Sequence, residues 1–305
     1  MFFSAPPRIE ATVFAELPQH LRPAKPNAEW CTGQPAGTPS ETLLEGPSFD
    51  RDGNLYCVDL PNGRIFRIAG DGSFELLTEY DGWPNGLKVH RDGRLFVADF
   101  KRGLLTVDPQ TGKVSSFLER AGLEHFKAIN DLFFATNGDL YFTDQGLTGL
   151  HDATGRLFRV TRDGKVSCLL SNIPSPNGVV MDLEERSVFV AATRANAVWR
   201  VPLDKDGNAT KVGIFVQLSG GNGPDGLALD AQGGLAIAHV GLGSVWLVDR
   251  FGEPTARIQA DGHRHTTNVA FGGHDGKTLF ITESGSGTIL QASVEIGGNR
   301  MFSHQ

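Results

Sequence analysis

Short runs of alternating hydrophobic and polar residues recur along the whole chain, and tight-turn signals separate them. The turn signals are the pairs Asp52-Gly53, Asp71-Gly72, Asp92-Gly93, Asn137-Gly138, Asp163-Gly164 and Asp275-Gly276. Glycine accepts the positive φ that hairpin turns need, so each pair between alternating runs predicts a β-hairpin. The sequence has no long stretch with helical periodicity. The pattern therefore indicates an all-β sandwich, barrel or propeller.

Six segments of the chain match one another when they are written in register. They are EGPSFDRDGNLYCVD, NGLKVHRDGRLFVAD, NDLFFATNGDLYFTD, NGVVMDLEERSVFVAA, DGLALDAQGGLAIAH and NVAFGGHDGKTLFIT, which begin at residues 45, 85, 130, 177, 225 and 268. Each segment contains two strands and a tight turn, and further strand-like sequence such as GRIFRIAG follows it. A repeat of about 40–50 residues with four strands is typical of a propeller blade. The sequence predicts an all-β fold, a six-bladed β-propeller.

The residues before the first repeat are expected to complete the same domain, which would span residues 1–305. The run ATVFAEL, at 11–17, predicts an outer strand beside GTILQASV at 287–294. Such a strand would close the ring and remove exposed strand edges. The stretch from Pro18 to Thr42 is rich in Pro, Gly and polar residues, and it predicts a loop packed over the disc.

Bulk composition excludes several classes of partner. The 305 residues carry a formal net charge of −7 and no Lys/Arg-rich run, which argues against nucleic acid. No run of about 18 apolar residues exists, so no membrane-spanning helix is expected. Cys31, Cys57 and Cys168 are too few and too widely spaced for a disulfide framework. These thiols, together with a start that lacks a secretion signal, predict a cytoplasmic protein.

One column of the aligned repeats holds an oxygen-bearing polar side chain in every segment. Its members are Glu45, Asn85, Asn130, Asn177, Asp225 and Asn268. The innermost strand of a blade runs beside the central axis, so equivalent positions form a ring at one end of the channel. Buried carboxylates need a counter-charge, and a divalent cation supplies it. Oxygen ligands without thiolate or imidazole favour Ca²⁺, Mg²⁺ or Mn²⁺ over zinc. The alternative is that these residues only cap turns.

Four patterns resemble the gluconolactonase, regucalcin and luciferin-regenerating-enzyme family. They are LLEGPSFD at 43–50, AINDLFFATNGDLYFTD at 128–144, PNGVVMD at 176–182 and GPDGLALD at 223–230. The resemblance implies six blades and one catalytic divalent cation, with Ca²⁺ as first choice and Mg²⁺, Mn²⁺, Zn²⁺ or iron as alternatives. It also implies that the metal ligands are Glu45, Asn177 and Asp225. Asn130 would be a fourth ligand or a substrate contact.

Asp131 matches an acidic residue that members of this family place in the substrate pocket. Regucalcin-like members carry an Arg two residues before the Asn that corresponds to Asn130, whereas this chain has Ala128. That departure argues against a regucalcin-like preference for sugar lactones.

The resemblance implies a reaction, because family members are mostly lactonases. The expected activity is divalent-metal-dependent hydrolysis of a sugar-type or related small lactone to its hydroxy acid. Asp225 is the first candidate for the general base and Asp131 the second, because a carboxylate beside the metal can take the proton of the attacking water. Asn130 and Asn85 would orient the substrate, and Asn268 is interpreted as structural. Two alternatives are metal-dependent phosphotriester or fluorophosphate hydrolysis and a metal-braced binding module.

Several other patterns are given structural interpretations. The GxGxxG match at 221–226 lies in a predicted hairpin, and without a following helix it does not predict a nucleotide site. Residues 204–208 resemble a calcium loop but predict a turn, because the glycine is misplaced and the terminal Glu is missing. The loop at 145–155 is either part of the substrate entrance or a surface excursion. The histidines at 263 and 265 are interpreted as a solvated loop, with a proton shuttle as the alternative.

Overall fold

A computed structural model of the chain describes residues 5–35, 38, 41–260 and 262–305. In these residues six sheets surround a central channel, and each blade has an inner, a second, a third and an outer strand that pair antiparallel. The inner strands are Leu44–Phe49, Pro84–Val89, Ile129–Phe134, Pro176–Met181, Gly223–Leu229 and Thr266–Gly272. The second strands are Leu55–Asp59, Leu95–Asp99, Leu140–Asp144, Ser187–Ala192, Leu235–Val240 and Thr278–Glu283. The prediction of a six-bladed β-propeller is confirmed.

The remaining strands complete each blade toward the rim. The third strands are Arg64–Ile68, Gly103–Val107, Gly155–Val160, Ala197–Pro202, Ser244–Val248 and Thr288–Ser293. The outer strands of blades one to five are Phe74–Glu79, Val114–Leu118, Val166–Ile173, Gly213–Gln217 and Pro254–Gln259. A short two-stranded sheet pairs Arg120–Ala121 with Glu124–His125 after blade two.

The outer strand of blade six comes from the beginning of the chain. Thr12–Glu16 pairs antiparallel with Thr288–Ser293, so the two ends of the propeller sequence share one sheet. A preceding strand, Arg8–Glu10, pairs in parallel with Pro254–Gln259 of blade five, a pairing that the repeat pattern did not suggest. Both pairings cover strand edges that would otherwise be exposed.

The segment from Pro18 to Thr42 contains helices as well as loop. A 3₁₀-helix spans Gln19–Leu21, and an α-helix spans Ala28–Thr32. The Oδ1 atom of Asn27 accepts a hydrogen bond of 3.0 Å from the backbone N–H of Trp30, which caps this short helix. Residues 36–37 and 39–40, like 1–4 at the start, lie outside the described residues. Further 3₁₀-helices span Leu60–Asn62, Thr193–Ala195 and Phe302–His304.

The hydrophobic core lies between neighbouring blades, because both faces of each sheet are covered by another sheet. In one example, buried aromatic and aliphatic residues of blades two and three pack together, including Phe96, Phe134 and Phe142. The inner strands contact one another in a closed ring around the channel. Phe302, from the C-terminal 3₁₀-helix, stacks on Phe134 with 5.0 Å between ring centroids. The last residues of the chain thereby cover one end of the channel.

Among the described residues, no helix has the length and apolar character needed to cross a bilayer. All three cysteines are unpaired thiols, and only Cys57 is buried.

Candidate metal and substrate site

The six polar residues of the repeat column occupy equivalent places in the fold. Each is the second or third residue of its inner strand, at the end of the channel that lies opposite the C-terminal 3₁₀-helix. Beside each of them the pairing with the second strand shifts in register. A local irregularity of this kind bends the strand and re-aims a side chain. The repeated bulge therefore explains why polar side chains can leave the sheet and turn toward the axis.

Glycine follows four of the six polar residues because neighbouring inner strands approach each other closely there. A Cβ atom built on Gly46 would lie 2.6 Å from the backbone oxygen of Asn85, which is too close for any side chain. In blade three the corresponding position is Asp131. Its side chain fits because Gly86 of blade two leaves room, and a Cβ on Gly86 would lie 2.5 Å from Asp131 Oδ1.

A cavity of ≈ 640 Å³ opens at this end of the channel. Five members of the polar column line it, namely Glu45, Asn85, Asn130, Asn177 and Asp225. All five are at least nine-tenths buried. The structure therefore brings together residues that are far apart along the chain, as the sequence analysis expected.

Two predicted residues lie beside the cavity rather than on its wall. Asn268 donates a hydrogen bond of 2.9 Å from Nδ2 to Glu45 Oε2, so it holds a carboxylate of the ring. Asp131 is 1% exposed, and its Oδ1 atom lies 3.9 Å from Lys88 Nζ. Asp131 Oδ1 also accepts a hydrogen bond of 2.8 Å from the backbone N–H of Leu132.

Several buried oxygen atoms at this site have no hydrogen-bond partner among the described residues. They are Asn130 Oδ1, Asp131 Oδ2, Asn177 Oδ1 and Asp225 Oδ1. Buried polar atoms in folded proteins are normally satisfied, because an unpaired one costs about 1–3 kcal/mol. Oxygens that merely capped turns would be bonded to backbone N–H groups. This observation argues against the turn-capping interpretation for Asn130, Asn177 and Asp225.

The carboxyl groups of the site carry strongly perturbed pKa values. Burial raises the pKa of Glu45 to about 8, and the nearby Asp131 adds to this, while hydrogen bonds from Asn268 and Gly46 oppose it. Burial also raises the pKa of Asp225 well above its ordinary value, and the charges of Glu45 and Asp131 raise it further. The pKa of Asp131 is raised by burial and lowered by Lys88. The site therefore favours positive charge or protons.

The donor set suits a hard cation. In the described part of the chain, no group of three or more His, Cys, Asp and Glu side chains is placed to hold a metal ion. The candidate ligands are instead two carboxylates and two amide oxygens, from Glu45, Asp225, Asn130 and Asn177. Such all-oxygen sets are typical of Ca²⁺ and Mg²⁺ rather than of zinc. The unpartnered oxygens fit the cation that the sequence analysis expected.

A second ring of residues lines the mouth and was missed by the sequence analysis. It consists of the residues that directly follow the second strands of five blades, namely Leu60, Phe100, Gln145, Thr193 and Ser284, together with Val240, the last residue of the second strand of blade five. Arg194 follows Thr193 and also lines the cavity. The signal was available, because these residues form another column of the aligned repeats. It was overlooked because its members share no residue type.

The loops singled out in the sequence take different places. Residues 145–151 line the cavity, so this part of the 145–155 loop forms the entrance rather than a surface excursion. His265 lines the cavity, whereas His263 Nδ1 lies 3.4 Å from Glu283 Oε2. The GxGxxG match begins a hairpin, as predicted, and residues 204–208 form a turn in which Asp204 accepts bonds from backbone N–H groups.

The fold and the cavity define a six-bladed β-propeller with an oxygen-lined cavity at one end of its channel. The sequence pattern of the SMP-30/Gluconolactonase/LRE-like region matches residues 43–285. The chain therefore belongs to this family.

Individual relatives agree with that assignment. Lactonase drp35 of Staphylococcus aureus is 30% identical over 228 residues, which are 70% of this chain and 69% of the relative. A calcium-binding protein, regucalcin, from Agrobacterium tumefaciens has a similar structure, with a TM-score of 0.78, 23% identity, and coverage of 99% of this chain and 100% of that one. A gluconolactonase from Xanthomonas campestris superposes with a TM-score of 0.73 and 23% identity, over 83% of this chain and 86% of that one.

Proposed function

We propose that this protein hydrolyses a small lactone to its hydroxy acid with the help of one divalent cation. The observation that carries the proposal is the group of unpartnered, buried oxygens of Asn130, Asn177 and Asp225 on the wall of one cavity. The relatives support it, because one is named a lactonase, another a gluconolactonase and a third a calcium-binding protein.

The cation would be held by Glu45, Asn177 and Asp225, with Asn130 as a fourth ligand. Ca²⁺ remains the first choice because all four donors are oxygens, and Mg²⁺, Mn²⁺, Zn²⁺ and iron are the alternatives. When bound there, the cation supplies positive charge that polarises the lactone carbonyl and favours the ionised form of the ring carboxyls.

Asp225 is the proposed general base that takes the proton of the attacking water. It lines the cavity, and its Oδ1 atom is not engaged by any other described group. Asp131 is the second choice, because it lies off the cavity wall and is close to Lys88. Asn85 and Asn130, which line the cavity, would orient the substrate, while Asn268 would hold Glu45 through its hydrogen bond.

Two broader proposals accompany this function. All six blades and the N-terminal strands are taken as one domain, 1–305, because the strand Thr12–Glu16 completes blade six. The unpaired state of Cys31, Cys57 and Cys168 supports a cytoplasmic location, where thiols stay reduced.

The test is an assay of the purified protein on a panel of lactones and organophosphates, with and without chelator. We expect lactone hydrolysis that is lost on complete metal removal and restored by added Ca²⁺. Calorimetric titration of the metal-free protein with Ca²⁺ should show one bound ion per chain.

Each other outcome points to a different function. Undiminished lactone turnover after complete metal removal would reject the metal-dependent mechanism. Hydrolysis of organophosphates alone would select the phosphotriester alternative. Cation binding with no turnover of either class would favour the binding module.

A further inference from the structure

Among the described residues that line the cavity, Arg194 is the only arginine or lysine. It lies in the 3₁₀-helix Thr193–Ala195, directly after the second strand of blade four. The backbone of this helix is tied to neighbouring loops, since Thr193 N donates to Ser175 O at 3.0 Å and Arg194 N donates to Pro174 O at 3.3 Å. The base of the Arg194 side chain is therefore fixed in position.

The stem and the head of this side chain have different surroundings. A Cβ built on Gly149 would lie 3.6 Å from Arg194 Cγ, so the stem packs beside the entrance loop. In the described part of the chain the guanidinium group makes no ion pair, and the residue is exposed. Other arginines of the blades are engaged, for example Arg156 with Asp144 and Arg159 with Asp139.

The charge balance of the cavity gives Arg194 a role. With one divalent cation bound, the ionised forms of Glu45 and Asp225 would balance its charge. Arg194 then leaves the loaded cavity with one positive charge in excess. An arginine that is free of protein partners binds carboxylates well, because its planar fork matches two carboxylate oxygens.

Several apolar residues line the cavity on the side of blades two and three. They include Trp30, Phe100, Leu147 and Leu150. Trp30 is 3% exposed and is held by an edge-to-face contact of 5.4 Å with Trp83. Leu147 and Leu150 are 71% and 75% exposed, so the entrance loop presents apolar surface to an incoming ligand. A ring with a hydrocarbon face fits this wall.

We propose that Arg194 is a specificity-determining residue that binds a carboxylate substituent of the substrate. The substrate class is then a lactone that carries a carboxylate outside its ring. This inference rests on the proposed function, since it names the substrate class of the same site.

The experiment compares two lactones with the same ring. One is a γ-butyrolactone with a carboxylate on the ring carbon beside the ring oxygen, and the other is the matching carboxamide. We expect the wild-type, Ca²⁺-loaded protein to prefer the carboxylate. Arg194→Met should raise KM for the carboxylate by about 10- to 100-fold, the range for a lost hydrogen bond to a charged group, and change KM for the carboxamide less than about 3-fold. Arg194→Lys should recover part of the preference.

Arg186→Met is the matched control, because Arg186 is an exposed arginine paired with Glu184 outside this cavity. This substitution should leave KM for both lactones unchanged. Equal loss on both substrates in Arg194→Met, or no loss on either, overturns the inference while lactone hydrolysis stands.

A binding measurement separates this inference from the proposed function. If the wild type hydrolyses neither lactone, the proposed function fails for this class, and calorimetric titration with the ring-opened hydroxy dicarboxylate decides the inference. Binding that is weakened by Arg194→Met and not by Arg186→Met supports it. Binding that is the same in all three proteins overturns it.

Discussion

Two sets of buried acidic side chains lie at the same end of the propeller, and they differ in their partners. The axial set consists of Glu45 and Asp225, which line the cavity. The collar set lies at the end of the second strands and consists of Asp59, Asp99, Asp144 and Glu283. All of these residues are at least nine-tenths buried.

The collar carboxylates are satisfied by the chain itself. Asp144 Oδ1 accepts hydrogen bonds of 2.8 Å from the backbone N–H groups of Lys127 and Ala128, and its Oδ2 pairs with Arg156 at 2.6 Å. Glu283 is similar, since hydrogen bonds from Ser286 and from backbone N–H groups outweigh its burial and lower its pKa. Collar residues therefore stabilise, through hydrogen bonds, the segment that precedes an inner strand.

The axial carboxylates are less completely satisfied, although Glu45 Oε2 accepts hydrogen bonds from Asn268 Nδ2 and from the backbone N–H of Gly46. Asp225 Oδ1 is unbonded among the described residues, and burial raises the pKa of this group. A protein keeps such a group when a ligand or a reaction uses it, and perturbed pKa values are common at functional sites. Burial of a carboxylate is therefore a poor indicator of its role, whereas a buried carboxylate oxygen without a hydrogen-bond partner indicates a functional group.

Of the changes considered, Asp225→Asn in the axial set is expected to reduce catalytic activity most. It keeps the size of the side chain but removes the negative charge and the proton acceptor, so kcat for lactone hydrolysis should fall by about 10²–10⁴-fold. Urea unfolding should show little loss of stability, because burial already disfavours the charged form of Asp225 in the folded protein.

Steady-state kinetics and urea unfolding on the same preparation would check this. Asp206→Asn, in an exposed turn, is the control and should leave both quantities unchanged. A near-normal kcat in Asp225→Asn would clear Asp225 of the role of base.

The next largest change is expected in the stability of Asp144→Asn, a substitution in the collar set. It leaves the buried guanidinium of Arg156 with a weaker partner on that side, so the free energy of unfolding should fall by about 3 kcal/mol. Activity should fall only in proportion to the fraction of the protein that is unfolded. Chemical denaturation measures the free energy of unfolding. The activity of the folded variant is measured as kcat at a temperature where the variant stays folded. Normal stability combined with a large loss of kcat would reverse the assignment of the two sets.

The smallest expected change is in the dependence of stability on pH. His239 takes the collar position of blade five, where its Nδ1 atom accepts a 3.1 Å hydrogen bond from Trp246 Nε1. Burial lowers the pKa of His239, so the folded protein binds a proton less readily than the unfolded chain does. Stability should be full above about pH 6.5, the ordinary histidine pKa, and should decline as pH falls below it.

Urea midpoints at pH 7.5 and pH 5.5 would measure this decline in the wild type and in His239→Asn. The variant lacks the titrating group, so its midpoint should change less between the two pH values. An equal change in both proteins would show that other groups cause the decline.

Much of the fold and part of the site could be predicted from repetition. The six-fold alignment located the blades and the polar column, because each blade must solve the same packing problem with similar residues. The helix Ala28–Thr32 could not be predicted, since it has no repeat partner and is held by Trp30 packing on Trp83. The roles of Asn268 and Asp131 depended on contacts across blades, with Glu45 and Lys88, which no local pattern reports.

The amino-acid sequence alone was enough to predict the blades, their turns and the column of oxygen donors. Strand alternation and tight turns are local properties, so they can be read from consecutive residues. The satisfied buried carboxylates could be distinguished from those that face the cavity only in the folded molecule, and folding brings Arg194 to the mouth of the cavity. The physical reason is that hydrogen-bond partners and charges act through space, between residues that the chain keeps far apart.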